Sequence, residues 1–133
     1  MPSGRAIRRL RRAAGFTLIE LLVVVAMVSL LLTVVAPRYF QSVERARITV
    51  LQENLRVTRE AIDLYYADRK QYPDSLDELV TYRYLRTLPV DPTAAGSMQW
   101  LIVAPPVGLP GKVYDLHSTS TGMTADGKRL GEL

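Results

Sequence analysis

Gly15-Phe16-Thr17-Leu18-Ile19-Glu20, followed by an uncharged run from Leu21 to Ala36, decides how this chain is organised. Arg5, Arg8, Arg9, Arg11 and Arg12 precede it. As a helix, Phe16 to Ala36 would be about 31 Å long, the thickness of a bilayer's hydrocarbon core. The arginines retain the N-terminus on the cytoplasmic side and send the rest of the chain outward. Glu20 is the anomaly. A carboxylate near the centre of a bilayer costs about 2.5 kcal/mol or more on insertion scales, so it calls for a cation from elsewhere.

Three readings compete for this segment. A secretory signal has an apolar stretch of about 7–15 residues and a small-residue cleavage site at its far end. Here the run is longer and ends Val34-Val35-Ala36-Pro37, with proline placed against cleavage. A plain membrane anchor explains the length and the arginines, but neither Glu20 nor Gly15. In the third reading Gly15 ends a removable leader and the helix is retained.

Gly15-Phe16-Thr17-Leu18-Ile19-Glu20-Leu21-Leu22-Val23-Val24 resembles the cleavage and N-methylation motif of type IV pilins and type II secretion pseudopilins, and the likeness extends over residues 15–40. It implies cleavage between Gly15 and Phe16 by a prepilin peptidase, N-methylation of Phe16, and a meeting of Glu20 with a neighbouring subunit's N-terminal amine. Pro37 falls where such helices often bend. Glycine suits the cleavage point because it allows an extended, open backbone. Neutralising a carboxylate in low dielectric with an ammonium explains why assembly would wait for processing.

The formal charge of +4 belongs mostly to the leader, since 17 Lys+Arg less those five arginines leave 12 against 13 Asp+Glu. The body is near neutral, so no nucleic-acid partner is expected. With Cys 0, disulfides, iron–sulfur clusters and cysteine nucleophiles are excluded.

Beyond Pro37, Ile48, Leu51, Leu55, Thr58, Ile62 and Tyr65 recur at helical spacing, with Val50, Val57, Ala61 and Leu64 widening the stripe. Arg56/Glu60 and Arg59/Asp63 form i,i+4 pairs. The pattern predicts one helix to about residue 70, kinked or locally melted near Pro37. Ser75 and Glu78 stand at capping-box spacing before a short helix over about 75–81. Leu88-Pro89-Val90-Asp91-Pro92 reads as a stiff extended turn. Strands at Gln99–Ala104 and Lys112–Leu116 predict a hairpin over about 98–117, then an irregular tail. The expected organisation is a leader at 1–15, a transmembrane helix at 16–36 and a periplasmic domain at 37–133. The fold class is α+β: a long N-terminal helix, transmembrane then amphipathic, packed on a small antiparallel sheet in the pilin manner.

Tyr72-Pro73, Tyr84-Leu85-Arg86-Thr87-Leu88-Pro89-Val90-Asp91-Pro92, Tyr114-Asp115-Leu116-His117-Ser118 and Asp126-Gly127 resemble, in that order, the G-type major pseudopilins of type II secretion. That likeness implies a structural subunit of a periplasmic filament assisting export of folded proteins. Its implied partners are copies of itself, other pseudopilins, a prepilin peptidase and an inner-membrane secretion platform. It also implies calcium held in the tail by Asp115, Ser118 and Asp126, oxygen donors that suit a hard cation. The tail departs from that pattern through the added stretch Thr119 to Ala125, so a turn-rich tail capped by Asp115 and Ser118 stays open beside the metal. Asp115, His117 and Ser118 cannot form a hydrolase triad, because neighbours on a strand point to opposite faces. Enzymatic activity is not expected. The alternatives are a minor pilin of a type IV pilus or DNA-uptake system, and a membrane-anchored binding module.

Overall fold

A computed structural model describes residues 14–96 and 98–133; most of the basic leader lies outside them. The element order is α1 (Leu18–Arg69), α2 (Leu76–Thr81), β1 (Trp100–Val103), β2 (Asp115–Ser118) and a 3-10 turn at Leu130–Glu132. This is the pilin-like α+β arrangement, a long helix and a two-stranded antiparallel sheet. The chain divides into two compact units, ending at Arg38 and beginning at Tyr39.

In the first unit α1 starts late. Gly15 and Phe16 are outside the helix, and Thr17 caps it by accepting the Glu20 amide at 3.2 Å. An 18-residue stretch of α1 has a mean hydropathy of 2.8 and none of it is buried, so by length and composition it could cross a membrane. Ser29 and Thr33 donate to the carbonyls of Val25 and Ser29 at 2.8 and 2.9 Å. Hydroxyls that bond back into their own helix leave nothing polar unsatisfied in lipid. α1 includes Pro37 without a break in the helical assignment, where local melting was one expectation. The missing proline N–H costs one hydrogen bond, and the turns on either side carry the helix across it.

In the second unit α1 buries Leu51, Leu55, Thr58, Ala61, Ile62 and Tyr65, a single face at spacings of three and four. Leu79, Val113, Leu116 and Leu130 complete the core from α2, the loop before β2, β2 and the tail. Val50, Val57 and Leu64 do not widen this face; they are exposed. A small sheet covers only a narrow arc of a helix, and the flanking positions stay open. α2 also departs from expectation, because Ser75 makes no side-chain cap. Glu78 instead accepts the Asp74 amide at 3.0 Å and the Tyr65 hydroxyl at 2.9 Å, which ties α2 to the core.

β1 and β2 pair antiparallel from Trp100 with Ser118 to Val103 with Asp115. The returning strand begins at Asp115 and not at Lys112. The amides of Lys112 and Val113 both donate to the Pro73 carbonyl, at 3.1 and 2.9 Å, and so are unavailable to β1. Burial alternates along β2, with Leu116 and Ser118 inward and Asp115 and His117 only partly covered.

Candidate functional site

Two places carry the sequence-derived candidates: the N-terminal entrance to α1 and the tail. At the entrance, Gly15 stands in open space, a Cβ there meeting nothing within 4 Å. Phe16 is 87% exposed, so the bond between them is open to a protease. Glu20 lies in the first turn of α1, where a carboxylate suits the positive end of the helix dipole. Among the described residues its carboxylate has no ion-pair partner. The Thr17 hydroxyl caps the Glu20 main-chain amide and leaves the carboxylate itself uninvolved. The Thr17 cap was legible in the sequence as a threonine three residues before Glu20.

The tail separates its three candidates. Asp115 Oδ1 accepts Arg59 Nε and the Leu116 amide, both at 2.7 Å. Ser118 faces inward, donates to Asp91 Oδ2 and accepts the Ser120 amide at 2.9 Å. Asp126 is exposed, and its carboxyl is held below the usual range first by a hydrogen bond with Thr124. Asp115 and Ser118 are three apart on β2 and so lie on opposite faces. Calcium takes about six to eight oxygens. Among the described residues no three His, Cys, Asp or Glu side chains gather to hold a metal. The donor set as placed does not fit a calcium ion. Nor does His117 complete a triad: its Nε2 lies 3.7 Å from Asp115, but Ser118 is committed to Asp91 on the inner side.

Asp91 and Arg59 organise this region, where the sequence placed Asp91 only in a stiff turn and Arg59 only in a helix pair with Asp63. Asp91 is fully buried, and its Oδ1 accepts the amide and hydroxyl of Thr93 and the amide of Ala94, at 2.8, 2.6 and 3.2 Å. With Ser118 on Oδ2, it clasps the Leu-Pro-Val-Asp-Pro turn to the tail. Asn54 and Trp100 secure the same turn, donating to the carbonyls of Val90 and Pro89 at 2.8 and 3.0 Å. Asp followed two residues later by Thr was the available signal, that of an Asx turn. Losing a buried acceptor strands its donors, so Asp91→Ala is expected to destabilise the fold by about 2–4 kcal/mol. Denaturant melts of the two proteins measure it; an unchanged midpoint would refute the clasp.

Residues 10–36 match the family described as the prokaryotic N-terminal methylation motif. The chain is 33% identical over 137 residues to the type II secretion system core protein G of Pseudomonas aeruginosa, covering 91% of this chain and 89% of that protein. It is 32% identical over 98 residues to the core protein G of Aeromonas hydrophila, covering 62% of this chain and 68% of that one. A type IV wide pilus major component, PilA4 of Thermus thermophilus, is 33% identical over 72 residues, 54% of this chain and 55% of the relative. No solved structure matches significantly. A methylation motif at the start of an exposed apolar helix, and likeness to core protein G along nearly its whole length, place the chain in one family: it belongs to the type II secretion core protein G pseudopilins.

Proposed function

We propose that this pseudopilin is made as a precursor, cut between Gly15 and Phe16 by a prepilin peptidase and methylated on the Phe16 amine. It is held in the inner membrane by a single pass of α1, with its C-terminal domain in the periplasm. Copies then pack with one another and with other pseudopilins into a filament that assists export of folded proteins across the outer membrane. The subunit works by assembly and carries out no catalysis.

The observation that carries this reading is Glu20, a carboxylate without an ion-pair partner among the described residues, at the head of an exposed apolar stretch of α1, five residues after the cleavage point. Processing supplies the missing cation, because it turns Phe16 into an ammonium near the depth of Glu20. A neighbour's ammonium then neutralises the acid as the helices exchange lipid for protein contacts. Val50, Val57 and Leu64, left exposed at seven-residue intervals, extend the apolar surface available to neighbours. Contacts that join one face to a different face and do not close generate helical filaments. The likeness to a pilus major component supports a second reading, a subunit of a type IV pilus with the same processing and packing.

Glu20→Ala is expected to be cleaved normally yet to enter sheared or crosslinked filaments at least about tenfold less than wild type, roughly the 1.4 kcal/mol that a partly buried ion pair can supply. Wild-type incorporation of the variant would remove Glu20 from assembly.

A further inference from the structure

Arg59 collects oxygens from two distant parts of the chain. Its Nε donates to Asp115 Oδ1 at 2.7 Å, and its Nη2 donates to the main-chain oxygens of Leu116 and Leu133 at 3.1 and 2.8 Å. A carboxylate and main-chain oxygens are the ligand types a hard divalent cation gathers. Here a guanidinium takes them. This arrangement displaces the helix pair expected with Asp63, because the flat fork of an arginine serves a carboxylate and carbonyls together, where Asp63 offers only a solvated partner one turn away.

We propose that Arg59 is a built-in cation that clasps the tail to α1, doing with a permanent charge what a bound calcium ion would do. The charge balance favours this directly. Asp115 is already neutralised, and the cleft of about 350 Å³ beside Arg59 is lined by Arg56 and Lys128 as well as by Asp63 and Glu60, the latter already paired with Arg56. A divalent ion reaching Asp115 would meet the Arg59 guanidinium within contact distance of that carboxylate and would have to displace it. The remaining candidate acids are elsewhere: Asp91 is saturated by four donors, and Asp126 sits in an exposed turn held by Thr124. An arginine does not dissociate or deprotonate at working pH, so the clasp is insensitive to the calcium content of its surroundings. The subunit therefore folds and enters filaments equally well with calcium or with a chelator. This inference is independent of which filament the subunit joins.

The test uses the full chain in detergent micelles. Thermal melts are recorded in millimolar calcium chloride and in the calcium chelator EGTA, with hydrogen exchange followed at Leu116 and Leu130–Leu133. The wild type is expected to melt at the same temperature in both. Arg59→Ala is expected to melt about 10 °C lower and to exchange faster at the tail amides. Arg59→Lys recovers only part of the loss, since an ammonium lacks the fixed fork that reaches all three acceptors at once. Should Arg59→Ala not fold, Asp115→Asn removes the charge and keeps the shape, with a smaller loss expected and no gain from calcium. A wild-type midpoint that rises by several degrees in calcium overturns the proposal, as does an Arg59→Ala or Asp115→Asn protein as stable as wild type.

Discussion

Gly15→Val is expected to fold like the wild type and to remain a precursor, with no detectable filament. The structure separates the two outcomes. A side chain at position 15 meets nothing within 4 Å, and the residue precedes the first turn of α1, so folding gains no penalty. Cleavage is different, because a protease must wrap the backbone on both sides of the bond it cuts, and a β-branched residue stiffens and crowds that backbone. Without cleavage Phe16 keeps its peptide bond and offers no ammonium. Glu20 then has no partner to find. Intact mass would show the leader retained and the methyl group absent, while the melting temperature stays unchanged. A precursor that still assembles would mean that Glu20 does not act through the processed terminus, and one that functions normally without assembling would favour a membrane-anchored binding module.

The largest loss of stability is expected from Gly111→Ala. Gly111 has φ +109, and a Cβ there would lie 2.2 Å from the Tyr72 carbonyl oxygen and 2.6 Å from its carbon. Neither side can yield cheaply. The Tyr72 amide donates to Pro110 at 2.9 Å, and the next two amides after Gly111 both reach Pro73. The Tyr72 ring is stacked on Tyr66 at 4.5 Å and edge-on to Tyr114 at 5.3 Å. Backbone strain and overpacking each cost about 1–3 kcal/mol, so a combined loss of about 3–5 kcal/mol is expected. For a domain of this size that lowers the melting temperature by about 15 °C or more. Gly108 is the control, with φ +95 but nothing within 4 Å of an added Cβ. Gly108→Ala should cost only the backbone strain. Equal losses at the two positions would show that conformation, and not the approach of Tyr72, sets the requirement for glycine.

Much of this protein is written locally. The membrane-length apolar run, the glycine–phenylalanine junction and the early glutamate lie within one stretch, and their meaning does not depend on what packs against them. The core face of α1 is equally local, since Leu51, Leu55, Thr58, Ile62 and Tyr65 follow the helix's own period. Periodicity also suggested Val50, Val57 and Leu64, but only the width of the covering sheet determines where a stripe ends.

The tail was the least legible part, for a different reason. Asp115, Ser118 and Asp126 have the right chemistry for a cation and lie close in sequence, yet strand alternation turns Asp115 and Ser118 to opposite faces. What occupies each oxygen then depends on residues far away: Arg59 lies 56 positions from Asp115, and Asp91 lies 27 from Ser118. Such pairings have no period and no spacing, and they exist only because folding brings α1, the proline-rich turn and β2 together. The methylation motif and the membrane-length apolar helix were therefore legible in the sequence, because each is a contiguous peptide. Which charge holds the tail was left to the folded chain, because partner choice among scattered polar groups is made by geometry after the backbone is in place.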